Sequence, residues 1–313
     1  MTTSANEHTD EGLVLTGLDG SNPLAFLAAL GTVLTAKNFC PDIRLRWVEH
    51  EGTWRPEVCG VPDDRGEFTD RLSTSLQQLS TEPFQIEKKM PFPAPHFREY
   101  AIRSSAEGQD RRFADFLASF GSECATNGDD FQDTLFRMVR SGDSAGQGFL
   151  YYALKIREKT DRDVLWRTLF SKWLYQDECF SLRWDPMEDS KYALRWGDPS
   201  KADKNTMIGA NSLALEAMQL LPTAPTANRL YTTGFHSEQR TDYLTWPIWN
   251  VPVSPYVIRS LLALNMLNEM LDVLNKEHSF RHRLKELGVQ EVFRSRRYAP
   301  NQYYRNFSPA RSV

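Results

Sequence analysis

The sequence predicts an α+β fold: a mixed sheet-and-helix body followed by a helical, basic C-terminal region. Three observations carry this expectation. Apolar residues recur at helical spacing in some segments, they alternate at strand spacing in others, and the two kinds follow one another in no regular β-α-β order. The 313 residues are 41% hydrophobic, with eight Trp and eighteen Phe, which supplies ample core and excludes a wholly disordered chain. Residues 1–250 are expected to form the mixed body and residues 251–313 the C-terminal region.

The first legible element is the strand Leu13 to Leu15, which leads through Gly17 and Gly20 into a helix start in "SNPLAFLAALGTVLTA". Ser21 or Asn22 can cap this helix, and the fixed φ of Pro23 suits its first turn. Leu24, Leu27, Leu30 and Leu34 form an apolar stripe, while Ala25, Ala28, Ala29 and Gly31 allow a close neighbour. Ile43-Leu45-Trp47 and Trp54-Pro56-Val58 alternate and read as a hairpin turning at Glu51-Gly52, with Arg44 and Arg46 on the face opposite Trp47. Helical periods follow at Phe68-Leu72-Leu76-Leu79, Phe113-Phe116-Leu117-Phe120 and Phe131-Leu135-Val139, and "MPFPAPHF" between the first two reads as a stiff connector. Asp163 to Tyr175 reads as another helix.

Phe180-Leu182-Trp184 and Tyr192-Leu194-Trp196 alternate at period two, so each "LRW" is expected to end a short strand around the turn-forming "DPMEDSK". "GANSLALEAMQLLP" then reads as a helix stopped by Pro222. "NRLYTTGF" and "DYLTWPIWNVPV" read as strands, the second with prolines that suit a sheet edge. "SPYVIRSLLALNMLNEMLDVLNKE" is expected to be a long helix capped at Ser254.

No stretch approaches the roughly 20 apolar residues that span a bilayer. The polar, acidic start "MTTSANEHTDEG" has neither the charged nor the apolar region of a signal peptide. A cytoplasmic protein without membrane contact is therefore expected, with Cys40, Cys59, Cys124 and Cys179 as reduced thiols. No cofactor or metal is expected. His278 and His282 lack a third ligand, "GLDGSNP" lacks the Lys of a phosphate loop, and "GDSAG" around Ser144 lacks the strand that a nucleophile elbow needs.

Charge is unevenly placed. Residues 281–313 hold eight basic and two acidic side chains, +6, which leaves −10 for the rest of a chain whose total is −4. In this tail Arg281, Arg283, Arg294, Arg296, Arg297 and Arg305 are interleaved with aromatics that include Tyr303 and Tyr304. Such residues can track phosphates and stack on bases, or they can form a solvated helix face. Arg183 and Arg195, opposite the Leu and Trp of each triplet, either pair with the acidic loop or line a groove for a nucleic-acid backbone. Lys201, Lys204, Asn205 and Asn211 offer donors for phosphates or base edges. A metal-dependent nuclease or hydrolase using Asp185, Glu188, Asp189 and Asp198 is the alternative, with Lys191 as the one nearby base. A purely structural interaction subunit is a third possibility.

"GLDGSNPLAFLAALGTVLTA" resembles the Asn-Pro-Leu segment and small-residue helix of subunits encoded with type I CRISPR effector complexes, especially the type I-G (formerly I-U) group. "LRWDP", "GANSLALEA" and "WPIW" also resemble compact large-subunit-like proteins of that kind. The resemblance implies a non-catalytic subunit of a CRISPR RNA-guided DNA surveillance complex (Cascade). Its partners would be CRISPR RNA, target DNA and the other Cascade subunits. It implies contact with the protospacer-adjacent motif, and a helicase-nuclease recruited in trans to cut.

Overall fold

A computed structural model describes residues 12–106, 108, 110–140, 142–188, 205–227, 229–264, 277–299 and 305–313. The N-terminal half holds β1 (Leu13–Val14), α1 (Pro23–Ala36), β2 (Arg44–His50), β3 (Thr53–Cys59), α2 (Arg65–Gln78), α3 (Ala94–Ser104), α4 (Arg111–Phe120), β4 (Gly121–Asn127) and β5 (Asp130–Asp133). There follow α5 (Phe149–Glu158), α6 (Arg162–Phe170), β6 (Asp177–Glu178), β7 (Asn205–Thr206), α7 (Ile208–Ala217), β8 (Thr223–Pro225), β9 (Leu230–Thr232), β10 (Phe235–Glu238) and β11 (Thr241–Trp249). The C-terminal part contributes α8 (Pro255–Leu262), α9 (Glu277–Glu286), β12 (Val289–Tyr298), β13 (Asn306–Phe307) and β14 (Arg311–Ser312). The fold is α+β, as the mixed periodicities predict.

The centre is α1 laid against α7. Asn22 caps α1, its Oδ1 accepting from the Leu24 and Ala25 amides at 2.8 and 3.2 Å, and Pro23 occupies the first turn. Every residue of α1 except Leu34 is buried, as is every residue of α7. Such all-round burial requires small residues where backbones meet. A Cβ on Gly31 would stand 1.7 Å from the Leu213 carbonyl oxygen, so only glycine fits.

Two sheets flank this pair. In the first, of order β1-β3-β2, Glu51 and Gly52 turn the β2–β3 hairpin, both at positive φ. The second orders β10-β11-β12-β13, with β14 also on β12. Phe26 joins helix to sheets, since its ring stacks on Trp47 at 5.6 Å and lies 5.8 and 6.4 Å from Trp246 and Trp249. Trp246 Nε1 donates to the Gly20 carbonyl at 2.9 Å and Trp249 Nε1 to that of Leu45 at 2.8 Å, which satisfies two indoles that burial would otherwise penalise.

Several expectations are corrected. Phe131 to Val139 is no helix: Gly128, at positive φ, turns β4 back onto β5, and Phe131 packs 4.8 and 4.6 Å from Phe92 and Phe97. The proline connector contains the start of α3, because Pro95 falls where its missing N–H costs nothing. The helix at Asp163 ends at Phe170 rather than Tyr175. Phe180 to Trp184 is irregular, although Leu182 and Trp184 are fully buried; its partner Tyr192–Trp196 lies outside the described residues. The strand holding Pro247 runs between β10 and β12 rather than at the edge. β10 pairs only as far as Leu244, so among the described residues Pro247 has a strand neighbour on one side alone.

The C-terminal region carries the helices α8 and α9 but is not helical throughout. Arg294, Arg296 and Arg297 lie on β12, which pairs antiparallel with β11 across the expected boundary at residue 250. Among the described residues, no helix is long and apolar enough to cross a membrane.

Candidate functional site

The acidic segment that ends at Glu188 is a buried junction. Asp185 and Glu188 are 0% and 4% exposed, so each carboxylate needs internal partners. Asp185 Oδ1 accepts from Asn22 Nδ2 and from the Met187 amide, both at 2.9 Å, and its Oδ2 accepts from the Tyr175 hydroxyl at 2.8 Å. Glu188 accepts from the Thr206 hydroxyl at 2.5 Å and from the Ser181 hydroxyl. Asn211 closes the junction. Its Oδ1 accepts from the Leu182 amide at 3.1 Å, and its Nδ2 donates to Thr206 Oγ1 and the Met207 carbonyl at 3.1 and 3.0 Å.

The electrostatics follow from burial. Glu188 is pushed up to about 7, by desolvation first and by the Asp185 carboxylate second, against the pull of the Ser181 and Thr206 hydroxyls and of Arg183. The Tyr175 phenol is driven far above its ordinary range by burial and then by the charge of Asp185. Tyr175 and Arg183 both adopt positive φ, 53° and 61°, a conformation that costs a side-chain-bearing residue about 1 kcal/mol or more. The hydrogen bonds of the junction hold this strained path in place.

Chemically the junction acts as a clamp. The acidic oxygens that the metal-dependent alternative would use accept from protein donors, and Asp189 and Asp198 lie outside the described residues. Among the described residues, no group of three or more His, Cys, Asp or Glu is arranged to hold a metal ion. Ser144 sits in a tight turn between Gly142 and Gly146, both left-handed, and the described residues 134–140 before it form no strand.

The residues expected to meet nucleic acid have divergent fates. Asn211 is fully buried and spends its amide inside the junction, which corrects its expected role as a surface donor. Asn205 is half-buried on β7, opposite Glu178, and Arg183 is half-buried near Glu188. Arg294 is 2% exposed, its guanidinium 4.5 Å above the Tyr243 ring and 4.0 Å from Glu238. Arg297 is buried, donating from Nε to the Leu135 carbonyl at 2.9 Å and from a terminal nitrogen to Asp242 at 3.4 Å. These two arginines are internal and cannot reach a phosphate in this arrangement.

The layer extends beneath them. Buried Arg137 pairs with Asp133 and, at 2.6 Å, with Asp143, and Arg140 lies 3.6 Å from Asp133. Desolvation pulls Arg297 and Arg140 below their ordinary range and pushes Asp143 above its own. Arg296 and Arg283 are exposed, and Arg305 is half-buried. Arg195, Lys201, Lys204, Tyr303 and Tyr304 lie outside the described residues, as does the side chain of Arg281.

One buried charge group had no signal in the sequence. Arg112 Nε and a terminal nitrogen grip the fully buried Glu216 at 2.9 and 2.8 Å, and Arg157 reaches it at 3.2 Å. These residues lie on α4, α5 and α7, and no local pattern connects them. No known family model matches the chain, and no curated protein matches it.

Proposed function

We propose that the chain is a non-catalytic subunit of a CRISPR RNA-guided DNA surveillance complex (Cascade) in antiviral defence, contacting nucleic acid and the protospacer-adjacent motif. One observation supports this reading above others: the four separated segments that carry the resemblance converge on one unit. Asn22 of the Asn-Pro-Leu segment bonds Asp185 of "LRWDP" at 2.9 Å. Leu182 of the same stretch bonds Asn211 of "GANSLALEA" at 3.1 Å. Gly31 meets Leu213 backbone to backbone, and Trp246 of "WPIW" bonds Gly20 at 2.9 Å. Motifs that share one packed centre behave as the signature of a scaffold, and their polar side chains are spent on holding it together.

In this role sequence is read by guide pairing, while protein reads a short motif and the backbone. Arg283 and Arg296 are exposed tail residues that can reach a phosphate, and the proposal also assigns nucleic-acid contact to Arg195, Lys201, Lys204, Tyr303 and Tyr304, which lie outside the described residues. The partners are CRISPR RNA, target DNA, the other Cascade subunits and a helicase-nuclease acting in trans. Affinity purification of the tagged chain from its own cells, with sequencing of the bound RNA, tests this. The expected result is guide RNA bearing one repeat sequence, together with stoichiometric partner subunits. Recovery of an RNA-free single chain, from a genome with no repeat array beside the gene, defeats the proposal.

A further inference from the structure

A cleft of about 370 Å³ opens where α1, α4, α7 and α8 meet, within the size range of small-molecule sites. Its lining is cationic in excess. Lys37, Arg111, Arg112 and Arg259 face it, against Asp115 and Glu216. Glu216 is already held by two guanidiniums, those of Arg112 and Arg157. Asp115 is likewise shared, one carboxylate oxygen accepting from Arg111 at 3.1 Å and lying 3.0 Å from Arg259. Each acid thus serves two arginines, and Lys37 adds a further positive charge.

Lys37 has no carboxylate partner among the described residues. It donates to the Tyr256 hydroxyl oxygen at 2.9 Å, with its ammonium 4.3 Å from the ring centroid. Because the phenol accepts there, its own O–H is left to donate outward. Tyr256 is 72% exposed, a large ring held at the mouth of the cleft. Arg259 lies three residues further along α8, on the same helix face as Tyr256. Lys37, Tyr256, Arg259, Asp115 and Arg111 therefore form one continuous polar rim, net positive, beside the apolar Leu79, Leu220 and Pro255.

We propose that this cleft binds a nucleoside phosphate, with the phosphate at Lys37, Tyr256 and Arg259 and the base against the exposed aromatic and apolar wall. A compact anion relieves the repulsion among the cations, and a planar group covers the open ring. The same chemistry is presented by a free mononucleotide and by the 5′-phosphorylated end of a strand. This site is separate from the β12 arginines and from the acidic junction, and it does not rest on the Cascade assignment.

The test is calorimetric titration of the full chain at low ionic strength with adenosine monophosphate. Parallel titrations use a short oligonucleotide with and without a 5′-phosphate. Binding of the phosphorylated compounds is expected, weakened about tenfold by Lys37→Ala, a half-exposed site whose loss leaves the core intact. Asp115→Asn is expected to tighten binding a few-fold by releasing Arg111 and Arg259, an outcome that simple loss of structure cannot mimic. Tighter binding of the phosphorylated oligonucleotide than of the mononucleotide assigns the site to a strand end, and the reverse assigns it to a free nucleotide. No binding of any phosphate at about 1 mM, or binding that both substitutions leave unchanged, overturns the proposal.

Discussion

The contact between α1 and α7 and the arginine layer under β12 are both buried, and they are made of opposite materials. The first depends on missing atoms, with Gly31 and a run of alanines bringing two backbones together. The second packs the longest charged side chains of the chain, Arg137, Arg294 and Arg297, into the interior and neutralises them with Asp133, Asp143, Glu238 and Asp242. The difference is one of information. Close helix packing is written locally, in the spacing of small residues. Arg137 has Asp133 and Asp143 close by in the chain, but the burial of Arg297 is decided by partners that lie far away, such as Leu135 and Asp242.

The strongest way to break this comparison is Gly31→Ala. The added carbon would lie 1.7 Å from the Leu213 oxygen, which belongs to backbone and cannot rotate away. Two fully buried helices must then separate, at a cost of about 4 kcal/mol or more. Denaturant unfolding checks this, and a midpoint equal to wild type would show that the helices do not meet at Gly31. Arg137→Ala tests the other region. It leaves Asp133 and Asp143 beside an empty space, a loss of about 3 kcal/mol. A much smaller loss would mean that water already reaches those carboxylates.

These regions also divide what could be read in advance. The Asn22 cap, Pro23, the Glu51-Gly52 turn and the α7 run were legible because each is a local signal with a local cause. Pro95 misled because a proline that stiffens a connector also starts a helix. Phe131, Leu135 and Val139 misled because their helical spacing is also met by a strand that runs into a buried loop. The basic spacing in "RSRRY" spoke for exposure, yet Arg294, on the same face of β12 as Arg296, lies against the Tyr243 ring, and Arg297 on the other face is buried against the Leu135 carbonyl. At the acidic junction, Asp and Glu in a turn-rich stretch gave no hint that Asn22 and Tyr175 would reach Asp185.

That junction offers a third kind of buried polarity, and pH separates it from the arginine layer. Glu188 is raised from 4.5 to about 7 in the folded chain. A raised value means that its contribution to stability is whole below the unfolded value and is lost as pH rises through the folded one. Wild type should therefore lose on the order of 2 kcal/mol from this group between about pH 5 and 8. Glu188→Gln carries no titrating proton, and the Ser181 and Thr206 hydroxyls can turn to meet an amide. Its stability should be flatter over that range, as thermal melts across pH would show. Equal slopes in the two proteins would mean that Glu188 ionises in the fold as freely as in water.

The smallest stability effect sharpens the comparison most, because it separates what a cation does inside the protein from what it does outside. Arg296 sits on the same strand as Arg294 and Arg297, but its side chain faces solvent, as does that of Arg283 on α9. Replacing both by Ala removes no buried partner, so stability should change by less than about 0.5 kcal/mol. If the chain meets nucleic acid as proposed, affinity should nonetheless fall across all sequences alike, and the slope of log affinity against log salt should flatten by about one unit per phosphate contact removed. Arg294→Ala and Arg297→Ala make poor probes of the same question, since loss of the fold would lower binding for another reason. The measurement is a salt series on the assembled complex with the double variant. Unchanged affinity and slope, with assembly intact, would place the nucleic acid elsewhere on the molecule. Lost assembly with normal binding by the residual complex would make the outer face of β12 a protein-docking surface, a use for which exposed Arg and the neighbouring Tyr298 are equally suited.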